Sequence, residues 1–293
     1  MLLLTHNDLD AVGCELVLRK YANIDRIFYE DYITLSQTVT DIIQFRKHSK
    51  IDVLIIADIS FSDNKALLQK LVNVFKYVIH LDHHSYPEGF SITVPEGKTF
   101  RQVIDTNRCA CKICFDVFKG TDSYLNNLVN LIDKFDRWVE DSEDFQKAVD
   151  LNDYFWKIGY YDFYTQFKES YPQDYQQQIE VIHSETENGL KELCEKNFIA
   201  RDRKVTIQIG SDFGFNGQII EFKEMQKGYI FILKTILRIR LNQKVFDPKT
   251  AENCRFRITN TVTGHPYAFN VNLKNVNNVL EEVKRISGVI NSF

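Results

Sequence analysis

Three apolar runs, each ending abruptly in acidic or histidine residues, constrain the fold of this chain more than any other feature. The runs are Leu2–Leu4, Val53–Ala57 and Val78–Leu81, and they precede His6-Asn7-Asp8-Leu9-Asp10, Asp58 and Asp82-His83-His84 respectively. Short continuous apolar runs are typical of strands that are buried on both faces of a parallel sheet. We therefore predict that the three runs are neighbouring buried strands.

Helical patterns between these runs predict how the strands are connected. One helix is predicted from the first motif to about Tyr21, and others at Leu35–Arg46 and Asn64–Phe75. Short strands are predicted at Arg26–Tyr29 and Phe90–Val94. Alternation of strand and helix favours a parallel sheet with helices on both faces, so the fold class of this part is expected to be α/β.

The sequence pattern of the remaining residues changes twice, first to mostly helical and then to mostly strand. Residues 107–138 and most of residues 140–200 show helical patterns, with the longest predicted helix at Gln176–Asn197. Strand patterns then follow at Val205–Ile209, Gln218–Phe222, Tyr229–Leu233, Arg255–Ile258 and Tyr267–Leu273, before a helix at Val276–Ile286. We expect a catalytic domain over residues 1–140, a helical connector over 141–200 and a smaller α+β substrate-binding domain over 201–293.

Composition narrows the classes of partner. The net charge is −4 and Lys and Arg form no run of five, whereas proteins that hold long nucleic acids usually present a basic face. No apolar run approaches the roughly 18 residues of a membrane span, and six cysteines in 293 residues suit a reducing compartment. A cytoplasmic protein without a membrane partner is expected, and any nucleic-acid substrate should be short.

The polar ends of the three strands predict one functional cluster. The carboxyl ends of neighbouring parallel strands open into a single crevice, which would bring together His6, Asp8, Asp10, Asp58, Asp82, His83 and His84. A lone Asp after a strand is more often a turn former or a helix cap, and this interpretation stays open for Asp58 alone and for Asp8 or Asp10. Several buried carboxylates repel one another unless cations neutralise them. Carboxylates and imidazoles suit Mn²⁺, Mg²⁺, Zn²⁺ or Fe²⁺.

The same motifs, in order and spacing over residues 1 to about 140, resemble the DHH phosphoesterase superfamily. That superfamily includes RecJ exonucleases, nano-RNases, cyclic-dinucleotide phosphodiesterases and family II inorganic pyrophosphatases, and the short His-x-Asp-x-Asp opening is most similar to the oligoribonuclease-like branch. The resemblance implies two divalent metal ions, with Mn²⁺ expected before Mg²⁺. It implies that Asp58 bridges the ions, that His6 and Asp8 hold one, and that Asp10 and His83 hold the other.

The resemblance also implies roles for residues around the ions. Asp136, in Phe135-Asp136-Arg137-Trp138, is similar to an Asp-x-Trp element of these relatives and is the expected remaining ligand, with Asp133 as the alternative. His84 would contact the scissile phosphate or the leaving group, and Asp82 would orient an imidazole. The Gly-Gly-Gly-His signature of the second domain in nuclease members is absent. The most similar sequence in this chain is Thr263-Gly264-His265-Pro266. It either contacts the substrate through His265 or forms a hairpin turn.

Three further stretches carry two interpretations each. Arg255 and Arg257, together with Arg238, Arg240 and Lys244, form either a phosphate-binding strip or ordinary surface charge on strands. The aromatic residues of 154–167 either stack nucleobases or, as we favour, pack at an interface within the chain or in a homodimer. Cys109, Cys111 and Cys114 do not have the spacing of an ordinary metal-ligand set.

Together these features predict a metal-dependent phosphodiesterase that hydrolyses short single-stranded oligonucleotides to mononucleotides through a water activated by two metal ions. One alternative is a hydrolase of a small phosphorylated compound, namely a cyclic dinucleotide, a 3′-phosphoadenosine nucleotide or pyrophosphate. A second alternative, from a different class, is a catalytically silent nucleotide-binding module.

Overall fold

The computed structural model describes residues 1–32, 34–139, 141–196, 198–202, 205–209, 227–232, 236–242, 245–259, 268–272 and 279–293. The chain divides into two compact units, Met1–Ile179 and Glu180–Phe293. The boundary falls inside a long helix, so a continuous segment of secondary structure connects the units.

The first unit is built on a five-stranded parallel sheet, which confirms the predicted α/β class. Its strands are β1 (Leu2–Thr5), β2 (Arg26–Tyr29), β3 (Val53–Ala57), β4 (Tyr77–Asp82) and β5 (Thr99–Ile104). They lie in the order β2-β1-β3-β4-β5, and every pair is parallel. The chain therefore reverses its direction of progress between β1 and β3, and open α/β sheets bind ligands in the crevice at such a switch point.

Helices cover both faces of this sheet. The helices within this unit are α1 (Leu9–Tyr21), α2 (Leu35–His48), α3 (Lys65–Val74), α4 (Ala110–Val117), α5 (Ser123–Asp136) and α6 (Phe145–Phe167), and the helix α7 (Tyr175–Lys196) starts in it. On one face, the side chains of Leu2, Leu4, Leu54 and Ile56 pack with α2 and α3 in a single buried apolar cluster. Helices α1 and α4 pack on each other and contact the sheet. The site-bearing strand ends are thus fixed from both sides.

The edge of the sheet differs from the sequence prediction. No strand forms at Phe90–Val94; Phe90 and Ile92 instead pack as loop residues against the apolar cluster. Their alternation imitates a strand, but they have no sheet partner. The fifth strand is β5, which follows a turn in which the Lys98 amide donates to the Pro95 carbonyl and Gly97 has a φ of +75°.

Besides most of α7, the second unit contains another sheet and two further helices among its described residues. The elements are β6 (Phe198–Asp202), β7 (Val205–Ile209), β8 (Gly228–Ile232), β9 (Ile236–Leu241), α8 (Pro248–Ile258), β10 (Ala268–Asn272) and α9 (Val279–Ser292). The sheet order is β10-β9-β8-β7-β6, and only the β7–β8 pair is parallel. This mixed α+β unit agrees with the predicted class of the smaller region.

The predicted strand at Arg255–Ile258 is wrong, because these residues form the last turn of α8. The alternating Arg-Phe-Arg-Ile pattern fits a strand, but Asp247-Pro248 starts a helix earlier along the same stretch. The Asp247 carboxylate accepts hydrogen bonds from the amides of Lys249 and Thr250, and Pro248 occupies the first helical position. The predicted strand at Gln218–Phe222 lies outside the described residues.

Among the described helices, none is both long enough and apolar enough to cross a membrane.

Candidate metal centre at the carboxyl edge of the parallel sheet

The strand register places the three predicted motifs at one level of the sheet edge. Thr5 is paired with Ala57, and Ala57 with Leu81. The motif residues follow these three positions directly, and the Asp58 amide continues the ladder by donating to the Leu81 carbonyl at 3.1 Å. The parallel register thus brings the motifs of β1, β3 and β4 to the switch point.

Asp8 is both a helix cap and a member of the cluster. Its Oδ1 accepts a hydrogen bond from the Ala11 amide at 3.0 Å, which caps α1, while its Oδ2 lies 2.9 Å from His6 Nδ1. Burial alone would raise the pKa of Asp8, but the His6 hydrogen bond and charge and the Ala11 amide hold it at about 2. Burial would lower the pKa of His6, yet the hydrogen bond and negative charge of Asp8 raise it overall. The cap and cluster interpretations of Asp8 are therefore compatible.

Asp10 is held by the first turn of another helix. Both of its oxygens accept backbone hydrogen bonds, Oδ2 from the Ala110 amide at 2.7 Å and Oδ1 from the Cys111 amide at 2.8 Å. These are the first amides of α4, where the helix dipole favours a negative charge. Burial and the neighbouring Asp8 nevertheless raise the pKa of Asp10, although His83 and the Cys111 amide act in the opposite direction.

Electrostatic repulsion in the cluster is greatest around Asp58, His83 and Asp136. The His83 ring lies between the two carboxylates, with Nε2 3.2 Å from Asp58 Oδ1 and Nδ1 3.4 Å from Asp136 Oδ2. Burial and the charges of the other acids raise the pKa of Asp58 and of Asp136 well above the ordinary value. Asp58 also has a φ of 57°, a conformation that costs a non-glycine residue energy and that recurs at functional sites.

Asp82 has a different environment from Asp58. Its Oδ1 accepts hydrogen bonds from the His83 amide at 2.8 Å, the His84 amide at 3.3 Å and His84 Nδ1 at 2.7 Å, and its Oδ2 accepts one from the Tyr86 hydroxyl at 2.8 Å. Burial would raise the pKa of Asp82, but these hydrogen bonds and the His84 and His80 charges lower it overall. Asp82 stays ionised and fixes the His84 ring through Nδ1, which leaves Nε2 as the second functional nitrogen of that ring.

The side chains fall into overlapping groups that match the chemistry of a metal site. Potential ligand atoms lie within 4.8 Å of one another in the groups His6–Asp8–Asp58, Asp10–His83–Asp136 and Asp58–Asp82–His83–His84. The first two groups hold the same residues that the resemblance divides between two ions, and Asp58 is shared between the first and third groups. The donors are carboxylates and imidazoles, which are ligands for Mn²⁺, Mg²⁺, Zn²⁺ or Fe²⁺.

Buried polar atoms that accept no hydrogen bond at this edge of the sheet also favour a metal site. Asp58 Oδ2, Asp136 Oδ2 and Thr5 Oγ1 are buried without a hydrogen-bond partner. A buried carboxylate oxygen that accepts no hydrogen bond costs free energy, and here two such oxygens belong to groups whose pKa values are raised by burial and by the charges of neighbouring acids. Divalent cations would remove both penalties, so the residues fit a metal centre.

Asp133, the alternative to Asp136, has a separate role. Its Oδ1 accepts a hydrogen bond from the Cys109 amide at 2.7 Å, and its Oδ2 lies 3.4 Å from Arg137. Asp133 therefore holds the start of α4, whereas Asp136, one helical turn later on α5, lies against His83. A further group joins Asp10 with Cys109 and Cys111, and burial raises the pKa of both thiols well above the ordinary value.

Arg255 and Arg257 lie on the helix α8 and not on the predicted strand, which changes how they can be interpreted. Arg255 is 4% exposed, lies 3.7 Å from Glu252 and packs on Phe256, while Arg257 packs on the Phe293 ring. The alternative that made Arg255 and Arg257 surface charges on a strand is therefore wrong, because both lie on α8, and their role in substrate binding stays a prediction. His265 lies outside the described residues.

Several contributors were missed in the sequence. His80 Nε2 lies 2.9 Å from the Ile59 carbonyl, and the Tyr86 and Tyr32 hydroxyls accept hydrogen bonds from the Phe61 and Ser60 amides at 2.9 and 3.0 Å. These three side chains hold the loop that follows Asp58. Only His80 had a usable signal, since it shares one face of β4 with Asp82 through the two-residue period of a strand.

Comparisons with solved structures identify the fold. Over the whole chain it is similar to RecJ from Thermus thermophilus in complex with Mn²⁺, with 12% identity and a TM-score of 0.62, and it covers 52% of RecJ. Over 99% of both chains it is similar to the pGpG-specific phosphodiesterase PggH from Vibrio cholerae, with 14% identity and a TM-score of 0.55. RecJ in complex with Mg²⁺ matches at 10% identity with a TM-score of 0.50.

The chain thus spans about half the length of RecJ and nearly all of PggH. No protein-family model and no curated protein sequence matches the chain. The structural likeness shows that the chain has the fold of RecJ and PggH, which agrees with the α/β fold that the motif resemblance implies.

Proposed function

We propose that the protein is a metal-dependent phosphodiesterase of the DHH type, a hydrolase that cleaves short single-stranded oligonucleotides to mononucleotides. The observation that carries the proposal is the pair of buried carboxylates of Asp58 and Asp136 on either side of His83, each of which has an oxygen, Oδ2, that accepts no hydrogen bond. A stable fold has no reason to bury two repelling carboxylates at a switch-point crevice unless a ligand of opposite charge binds there.

In this proposal His6, Asp8, Asp10, Asp58, His83 and Asp136 hold two divalent cations, with Mn²⁺ expected before Mg²⁺. Cations bound there would supply an activated water and would neutralise the phosphate oxygens during in-line displacement. Neighbours of the same fold have been solved with both of these ions. The low pKa of Asp8 favours the deprotonated form that cation binding needs, whereas Asp10, whose pKa is raised by burial, would lose its proton when a cation binds.

The chain's own residues position the phosphodiester. The Asp82 carboxylate fixes the His84 ring, whose side chain is 39% exposed and therefore reachable by substrate. His84 Nε2 then contacts the scissile phosphate, or donates a proton to the leaving oxygen when the ring is charged. The hydrogen bonds from the Tyr86 hydroxyl and the two histidine amides keep Asp82 in place during this contact.

Two observations favour a short oligonucleotide as the substrate. The chain carries a net charge of −4, which disfavours the many phosphate contacts of long nucleic acids. PggH, one of the solved structures that the chain covers almost completely, is described as a phosphodiesterase specific for pGpG, which is itself a dinucleotide.

The experiment is hydrolysis, in Mn²⁺, of an RNA series from dinucleotides to long oligomers, beside pyrophosphate and a cyclic dinucleotide. The proposal expects the fastest release of mononucleotides from the shortest RNAs, and no turnover by Asp58→Asn. Preferential hydrolysis of pyrophosphate or of the cyclic dinucleotide would replace the oligonucleotide assignment. Nucleotide binding without turnover of any substrate would indicate a silent binding module instead.

A further inference from the structure

An exposed tyrosine lies beside the candidate metal centre and has no part in binding the cations. The Tyr32 ring is 41% exposed, and its centroid is 5.6 Å from that of the His6 ring at an interplanar angle of 37°. Burial of its hydroxyl and the charges of Asp58 and Asp82 raise the pKa of Tyr32, so the side chain is within electrostatic reach of the cluster. An apolar ring in this position has no obvious use for a purely ionic substrate.

The ring is also held in place. The Tyr32 hydroxyl accepts a hydrogen bond from the Ser60 amide at 3.0 Å, which ties the loop after β2 to the loop after Asp58. A ring fixed at its outer end loses little conformational freedom when a flat ligand packs on its face. The exposed face of Tyr32 is therefore a prepared surface adjacent to the ligand His6.

We propose that Tyr32 stacks a nucleobase of the substrate whose phosphate lies at the metal centre. This inference rests on the proposed function and narrows it: the substrate is a phosphodiester that carries at least one nucleoside next to the scissile bond. Pyrophosphate and other phosphates without a base do not use Tyr32. Aromatic stacking tolerates all four bases, so Tyr32 contributes affinity without base specificity.

The test compares Tyr32→Leu with a matched control, Tyr77→Leu. Tyr77 has the same exposed fraction of 41%, but it is the first residue of β4 and lies at the opposite edge of the sheet. The substrates are an RNA dinucleotide and two versions of it in which one or the other nucleoside lacks its base. KM and kcat are measured in Mn²⁺, and dissociation constants are measured calorimetrically with Asp58→Asn proteins that carry or lack the second change.

Stacking of one base predicts that Tyr32→Leu raises KM and the dissociation constant of the intact dinucleotide about 5- to 150-fold. One of the two abasic versions should bind equally to the parent and to Tyr32→Leu, because the base that stacks is already missing. Tyr32→Phe should retain most of the affinity, and Tyr77→Leu should change nothing.

Equal losses on the intact and both abasic substrates would overturn the proposal, since they would show that Tyr32 acts only by holding the Ser60 loop. No loss on any substrate would overturn it as well. If the parent protein hydrolyses none of the substrates, the proposed function fails, and the calorimetric comparison still decides whether Tyr32 binds a base.

Discussion

Two neighbouring strand ends of the same sheet treat a buried aspartate in opposite ways. At the end of β4, both oxygens of Asp82 have hydrogen-bond donors and the pKa is lowered. After β3, Asp58 keeps one buried oxygen without a partner, and its pKa is raised well above the ordinary value. The two residues are nearly level along the sheet edge, since Asp58 donates its amide to the residue before Asp82.

The difference separates a residue of the scaffold from a residue of the binding site. Asp82 is satisfied by the protein itself, so its charge stabilises the fold with or without a ligand. Asp58 Oδ1 lies next to His83, but the buried Oδ2 accepts no hydrogen bond from the protein, and the left-handed backbone of Asp58 adds a further cost. In the proposed centre, the protein gives up stability at Asp58 to gain a site for cations, and it depends on Asp82 to support that site.

Replacing Asp58 by Asn should give the largest change in activity and should not destabilise the metal-free protein. We expect loss of activity by more than the 10–100-fold that changes outside the ligand shell cost. The free energy of unfolding in a chelator should rise, because the substitution removes one of several repelling charges and Asn tolerates the left-handed conformation. Hydrolysis assays and urea unfolding in a chelator measure the two effects. A less stable metal-free variant would contradict the assignment of Asp58 as the unsatisfied residue.

Asp82→Asn should show the reverse pattern. The variant loses charge-assisted hydrogen bonds in a fully buried position, and each such bond is worth about 1.5–3 kcal/mol, so the free energy of unfolding should fall by about 2–3 kcal/mol with or without metal. Activity should fall about 10–100-fold because the His84 ring is no longer fixed. Urea unfolding in chelator and in Mn²⁺ should give the same loss. A loss seen only in Mn²⁺ would show that Asp82 is instead a ligand.

Asp136→Asn and Asp133→Asn form a matched pair on successive turns of α5. Asp136→Asn should weaken Mn²⁺ binding about 10-fold or more, because the other groups next to His83 cannot replace the lost charge. Asp133→Asn should leave Mn²⁺ affinity nearly unchanged and cost about 1 kcal/mol of stability through its weakened hydrogen bond to the Cys109 amide. Calorimetric titration with Mn²⁺ distinguishes the pair, and stronger weakening by Asp133→Asn would reverse the assignment.

The sequence was sufficient where local pattern and chain order decide the structure. The apolar runs before His6, Asp58 and Asp82 became parallel strands, and the parallel register then brought the three motifs together without further information. The Phe90 and Arg255 segments were predicted wrongly for a shared reason. Alternation over a few residues fits a strand, but a missing sheet partner in one case and an Asp-Pro helix start in the other determined the outcome.

The fine structure of the site depends on contacts that no spacing rule encodes. The Ala110 and Cys111 amides reach Asp10 across a hundred residues of sequence. Tyr32 and Tyr86 hold the Asp58 loop from opposite directions along the chain. Whether Asp133 or Asp136 lies against His83 depends on the rotation of α5 about its axis, which is set by packing and not by either residue.

The pH dependence of stability gives the most delicate comparison of the two environments. The raised pKa values of Asp10, Asp58 and Asp136 mean that the folded, metal-free protein holds protons that the unfolded chain has already lost above about pH 4. Their contribution therefore makes the free energy of unfolding fall as pH rises. The lowered pKa of Asp82 has the opposite effect on the free energy of unfolding. The ionised Asp82 stabilises the fold, and this stabilisation is lost only as pH falls below the ordinary range of Asp.

Bound cations should abolish the fall in the free energy of unfolding with pH that Asp10, Asp58 and Asp136 cause. They should leave the contribution of Asp82 unchanged. With Mn²⁺ bound, the three acids are deprotonated in the folded state at every working pH, so their proton uptake no longer opposes stability. His80, whose pKa burial lowers, contributes equally with and without metal. We would measure the urea midpoints in chelator and in Mn²⁺ from about pH 5 to pH 8. The difference between the two midpoints reports the contribution of Asp10, Asp58 and Asp136 alone, and it should widen as pH rises. Asp58→Asn should flatten that difference; a constant difference in the parent protein would show that these carboxylates carry no displaceable protons.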